Sequence, residues 1–128
     1  MEPAPVPLLL VEDDPEIREA LGEYLDACGF AVTAVADGRT GLATALSSAP
    51  RLVICDLSLP DQRGDAFLIA FHVALPQCLL YVHSGDAGFS PSPELVRSGV
   101  TADHIFIKPA DLTEMVARLR SHLGLTDG

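Results

Sequence analysis

The sequence predicts an α/β domain, a doubly wound five-stranded parallel sheet with helices on both faces. Two observations predict it. Five short apolar runs, at residues 8–11, 31–35, 52–55, 79–82 and 105–107, read as buried strands. Segments with helical spacing lie between them, and such alternation gives a parallel sheet covered on both faces by right-handed crossovers.

Residues 1–7, Met-Glu-Pro-Ala-Pro-Val-Pro, read as an extended tail. After the first strand, Asp14 is placed to cap a helix and Pro15 suits its first turn. Ile17, Ala20, Leu21, Tyr24 and Leu25 make the apolar stripe of that helix. Weaker helices are expected over 38–48 and 64–74. The stretch 85–99 breaks the alternation, since Gly88, Pro91 and Pro93 leave room only for a short fourth helix. Asp111 is placed to cap the last helix, whose stripe is Leu112, Met115, Val116, Leu119 and Leu123. The domain is expected over 8–123, with 124–128 as a C-terminal tail.

A chain of 128 residues with 48% hydrophobic and 20% charged residues has ordinary globular composition. Its formal charge of −10 argues against direct contact with a nucleic-acid backbone or an anionic membrane, because both require a basic face. Cys28, Cys55 and Cys78 are odd in number and lack C-x-x-C spacing, which fits reduced thiols in a cytoplasm. The first apolar run is too short for an export signal, and no stretch approaches the length of a membrane span. A cytoplasmic protein is expected.

In an open parallel sheet, ligands bind beyond the carboxyl ends of the strands. Strand one ends in Glu12-Asp13-Asp14 and strand three in Asp56. Strand four is followed by His83-Ser84 and strand five by Lys108-Pro109. Carboxylates, a hydroxyl and an ammonium therefore converge on one rim, while Asp37 after strand two stays outside. Neighbouring carboxylates without a cation repel one another and resist ionisation. A Mg2+ ion, which takes hard oxygen ligands, removes that conflict and leaves Asp56 ionised as a nucleophile. Phosphoryl transfer needs just this positioning and charge stabilisation. Lys108 is the only lysine beside seven arginines, a compact point charge where a guanidinium fork would substitute poorly. His72, His83, His104 and His122 lack metal spacing and read as surface or packing residues, although His83, beside Ser84, is placed to tune access to the rim.

The chain resembles the bacterial response-regulator receiver domain, of the chemotaxis-regulator-like type, across residues 8–123. The matching pieces are L-L-L-V-E-D-D, V-I-C-D-L-S-L-P-D-Q-R-G, V-H-S-G and I-F-I-K-P, in order at strand ends. The resemblance implies the flavodoxin-like strand order 2-1-3-4-5. It implies that Glu12 and Asp13 form the acidic pair and that Asp56 is phosphorylated. It also implies that the Ser58 carbonyl is a further Mg2+ ligand and that Ser84 and Lys108 stand at the family's hydroxyl and lysine positions. Asp14 is left as the helix cap. The implied partner is a sensor histidine kinase or a histidine phosphotransfer protein. The domain then catalyses its own phosphorylation and dephosphorylation without being an enzyme on other substrates. A receiver-like binding module that signals without phosphate is the alternative, opposed by the complete set of acids, Ser84 and Lys108. A hydrolytic phosphotransferase would need a second aspartate where Ser58 stands.

One region departs from the family. Receivers carry Tyr or Phe three residues before the lysine, and this chain has Ile105, with Phe106 on the opposite side of the strand. Ile105 has no polar tip and is stiff at χ1, so it cannot gate a hydrogen-bonded pocket as Tyr does. The isolated domain is therefore expected to stay monomeric when activated. Light scattering at micromolar concentration, with and without beryllofluoride and Mg2+, checks this. A stable activated dimer that Ile105→Tyr leaves unchanged would contradict it.

Overall fold

The computed structural model describes residues 4–125. Strands β1 (Val6–Val11), β2 (Phe30–Val35), β3 (Leu52–Cys55), β4 (Leu79–Ser84) and β5 (Ile105–Ile107) form one sheet in the order β2-β1-β3-β4-β5. Every neighbouring pair is parallel. The expected fold and strand order are both present. Helices α1 (Pro15–Ala27), α2 (Gly38–Ser48), α3 (Gly64–Ala74), α4 (Pro93–Arg97) and α5 (Leu112–His122) make the crossovers and close the chain. None of the described helices is long and apolar enough to cross a membrane.

Side chains alternate along a strand, so each inner strand feeds two cores. Leu9, Val11, Val53 and Cys55 pack with Phe67, Phe71 and Leu95 on the side of α2, α3 and α4. Leu8, Leu10, Leu52 and Ile54 pack with Leu21, Leu25, Met115 and Leu119 on the side of α1 and α5. β3 sits at the centre with all four residues buried, as its unbroken apolar run requires. Each such Leu or Ile contributes about 1.5–3 kcal/mol through burial. Cys55 and Cys78 are buried thiols, in keeping with their apolar surroundings in sequence.

Helix ends follow their side chains. Asp14 accepts from the Glu16 and Ile17 amides at 2.9 and 3.3 Å, and Asp111 accepts from the Glu114 amide at 3.1 Å. Some details differ from the sequence expectation. β1 begins at Val6 rather than Leu8, so two residues assigned to the tail belong to the sheet. Pro7 is tolerated there because the β1–β3 ladder starts only at Leu8. The rest of the tail assignments falls partly on residues 1–3 and 126–128, outside the described residues. β4 runs on through His83 and Ser84 instead of stopping at Val82, because β5 pairs with it there. Ala20 is exposed, and α1 buries only Leu21 and Leu25. The fourth helix is short as expected, five residues begun by Ser92 and Pro93.

The loop from β3 to α3 closes tightly. Ser58 and Arg63 form an antiparallel bridge, and the Gly64 amide donates to the Leu57 carbonyl at 2.8 Å. A Cβ on Gly64 would overlap the Asp56 carbonyl oxygen and come within 2.7 Å of Leu57 Cα. Backbone on backbone leaves no flexible group to yield. Gly64→Ala is therefore expected to cost about 1–3 kcal/mol in urea unfolding, the range for an overpacked site. An unchanged urea midpoint would show that the loop is not closed in this way.

Candidate functional site

The register of the sheet assembles the rim. Val11 pairs with Cys55, so Glu12 and Asp56 leave adjacent strands side by side. The Asp56 amide donates to the Val11 carbonyl at 3.1 Å, and the Glu12 amide to the Val35 carbonyl at 3.0 Å. Ser84 pairs with Ile107, which puts Lys108 just past the same edge, its amide donating to the Ser84 carbonyl at 2.7 Å. A cis peptide joins Lys108 to Pro109.

The Lys108 ammonium crosses over β4 to reach the acids. Nζ donates to Glu12 Oε1 at 2.8 Å and to Asp56 Oδ2 at 2.7 Å. The remaining carboxylate oxygens take backbone amides: Glu12 Oε2 from Asp14 at 3.2 Å and Asp56 Oδ1 from Ser58 at 3.1 Å. Glu12 is 1% exposed and Asp56 8%, while Asp13 lies open on the rim. Carboxylate oxygens of Glu12, Asp13 and Asp56 all lie within 4.8 Å of one another. These are the three acids expected at a cation site, and three hard anionic oxygens so close fit a divalent ion such as Mg2+. Asp14, which the sequence left as a cap, caps α1.

Burial is the largest influence on both inner acids, with opposite outcomes. At Glu12 it prevails and raises the carboxyl above its ordinary value, against the Lys108 and Asp14 hydrogen bonds. At Asp56 burial is outweighed by the hydrogen bonds from Lys108 and Ser58 and by the ammonium charge, which hold the carboxyl below its ordinary value. Burial also opposes the charge on Lys108, yet its bonds to Asp56 and Glu12 raise it. Asp56 is thus an ionised carboxylate with a cation against one oxygen.

Ser84 reaches the rim at the end of β4, where its Oγ accepts from the Asp86 amide at 3.1 Å. Ser58 lies on the exposed side of Asp56 in the β3–α3 loop. Beside the rim, Ile17, Leu21, His83, Lys108, Pro109 and Leu112 line an apolar cavity of about 380 Å³. His83 is buried, and burial pushes its imidazole down to about 4, so it is neutral at pH 7.

Two features escaped the sequence. Asp61 accepts from the Gly38 and Arg39 amides at 3.0 and 2.9 Å, and its donors lie more than twenty residues away. His104 and His122 stack on each other at 4.7 Å, and His104 stacks on buried Tyr81 at 4.6 Å, the Tyr81 hydroxyl lying 2.8 Å from His122 Nδ1. The histidines were expected at surface or packing positions, and these two pack. No local signal announces either feature, because each joins distant segments. Ile105 and Phe106 face opposite cores, as strand alternation required.

Comparison with known proteins gives one consistent answer. The family model described as the response regulator receiver domain matches residues 8–120. The transcriptional regulatory protein HprR of Escherichia coli is 30% identical over 91% of this chain and 51% of its own length. The transcriptional activator protein IrlR of Burkholderia pseudomallei is 33% identical over 91% of this chain and 49% of its own length. The chain thus spans about half the length of these relatives. Among solved structures, a CheY-like receiver domain protein from Methanospirillum hungatei superposes with a TM-score of 0.85, at 25% identity, covering 94% of this chain and 95% of that one. A CheY-like receiver domain from Methylobacillus flagellatus gives 0.79 at 26% identity, covering 92% and 98%.

The ion-pair geometry has a pH signature. Asp56, depressed in the folded state, adds stability above the ordinary carboxylate pKa that is lost as pH falls through its folded value. Glu12, raised, imposes a cost at neutral pH that is relieved as pH falls through its folded value. Lys108→Met leaves both acids without their cation and is expected to cost about 2 kcal/mol at pH 7, less than for a fully buried pair. The penalty should shrink toward pH 4 as the acids take up protons. Urea unfolding of both proteins from pH 4 to 8 measures it, and a pH-independent penalty would refute the pairing.

Proposed function

Because this chain belongs to the response regulator receiver domain family, and so to two-component signalling, we propose that it accepts a phosphoryl group on Asp56 from a phosphohistidine donor in a Mg2+-dependent reaction. The donor is a sensor histidine kinase or a histidine phosphotransfer protein. The observation that carries this reading is Asp56 itself, ionised against Lys108, with the Glu12 and Asp13 carboxylates within 4.8 Å.

Glu12, Asp13 and Asp56 would hold the ion, with the Ser58 carbonyl completing the protein's share. When bound, Mg2+ offsets the negative charge of the acids and of the incoming phosphoryl group. An Asp56 carboxylate oxygen attacks phosphorus, the P–N bond to the donor imidazole breaks, and the released imidazole takes up a proton. Asp56 is prepared because Lys108 and the Ser58 amide hold it ionised at no cost at the moment of reaction. The carboxylate loses its charge when it becomes an acyl phosphate, which frees the Lys108 ammonium to follow the phosphoryl oxygens. Ser84 Oγ, now turned to the Asp86 amide, offers its hydroxyl proton to another of those oxygens. Attack of water on phosphorus reverses the modification and returns Asp56 with inorganic phosphate.

The transcriptional roles in the relatives' names belong to proteins about twice as long. For this chain the reading stops at receiving and losing the phosphoryl group, in the cytoplasm and without direct nucleic-acid contact, as a charge of −10 favours.

Acetyl phosphate with Mg2+ is expected to add one phosphoryl group, seen by intact-mass measurement. EDTA and Asp56→Asn should each abolish it. Equal labelling of the Asp56→Asn variant would sink the assignment.

A further inference from the structure

We propose that Asp61 is a positioning residue of the phosphoacceptor site, pinning the tip of the β3–α3 loop to the N-terminus of α2 and thereby fixing Ser58 against Asp56. The proposal rests on the reading of Asp56 and Ser58 above and deepens it.

The β3–α3 loop carries Ser58, whose amide holds Asp56 Oδ1 and whose carbonyl is assigned to the ion. Its neck is fixed by the Ser58–Arg63 bridge and by the Gly64 amide on Leu57. Between these points the tip, Leu59 to Gln62, has no regular structure of its own to hold it. Asp61, within the tip, supplies the missing restraint by reaching α2. Oδ1 accepts from the Gly38 amide and Oδ2 from the Arg39 amide, so both oxygens are committed to one helix end. These two bonds hold the carboxyl below its ordinary value, even though the residue is exposed.

The helix side of the contact is built for close approach. Gly38 is buried, and a Cβ there would overlap the Gln62 side-chain amide and crowd Phe67 at 3.0 Å. A residue larger than glycine would displace the Gln62 side chain from the place where the loop tip meets α2. The helix does not depend on Asp61 for its only cap. Asp37 caps it separately, accepting from the Thr40 amide at 2.8 Å and the Thr40 hydroxyl at 3.1 Å. Asp61 therefore joins two elements where Asp37 serves one. Two carboxylates at one helix end are electrostatically tolerable because unpaired amides and the helix dipole favour negative charge there.

The two capping acids separate a loop-positioning role from simple helix stability. Asp61→Ala and Asp37→Ala should both lower the melting temperature by removing α2 hydrogen bonds. Only Asp61→Ala frees the loop tip. Initial rates of acetyl phosphate labelling, followed by intact mass across a Mg2+ titration of the full chain, read the difference. Asp61→Ala is expected to raise the half-saturating Mg2+ concentration about tenfold, the lower end for losing a partner that orients a metal ligand. Asp37→Ala should leave it at the wild-type value. Asp61→Asn keeps one acceptor for one of the two amides and should fall between, which also covers the case of an Asp61→Ala chain that does not fold. If the two alanine variants shift Mg2+ dependence equally, or neither does, the positioning role is overturned while the phosphoacceptor reading stands. Failure of the wild-type chain to label at all would overturn that reading first and this one with it.

Discussion

Two carboxylates ending adjacent strands cannot both stay ionised in a buried rim unless a cation lies between them. Here Lys108 is that cation. Its ammonium reaches Glu12 at 2.8 Å and Asp56 at 2.7 Å from a strand that is not their neighbour. The span across β4 needs β5 at its observed register, with Ile107 beside Ser84. It needs β1 and β3 level, with Val11 beside Cys55. The order of the sheet, the lengths of the strands and the ionisation of Asp56 are thus one constraint seen at three scales.

The rim is open on the side away from Lys108. There the β3–α3 loop does the holding, and it does so with backbone. Ser58 donates to Asp56, Gly64 closes the neck where no side chain fits, and Asp61 reaches α2. Backbone and short carboxylates are stiff, so an ion bound there would meet ligands that need little reorganisation. The other neighbour of the rim is softer. The cavity beside Lys108 is walled by aliphatic side chains of α1 and α5 around a neutral His83.

On the sequence alone, the departures from the receiver pattern fall at Ile105 and in the fourth helix. Ile105 packs toward the α3–α4 core and Phe106 toward the α1–α5 core, so the ring cannot take over by rotating. The fourth helix has five residues, too few to present a long docking face. Near that edge, Tyr81, His104 and His122 form a ring stack beneath the end of α5. Glu12, Asp56 and Lys108 are joined by hydrogen bonds at the rim, and Ile105, Phe106 and the fourth helix lie outside that network.

Local patterns decided much of this by themselves. Apolar runs gave β3 and β5 to the residue, and helical spacing gave the extents of α2 and α3. The acids and the lysine were legible because a parallel sheet delivers the ends of its strands to one side, whatever the packing. Strand ends were less legible. Val6 and Pro7 joined β1, and His83 and Ser84 joined β4, because pairing with a neighbour extends a strand past its apolar run. The partnership of Lys108 with both acids, the opposite shifts of Glu12 and Asp56, the grip of Asp61 on α2 and the Tyr81 ring stack came only with the tertiary structure. Each joins residues far apart in the chain, and a hydrogen bond or a desolvated charge is set by distances of about 3 Å that sequence spacing does not encode.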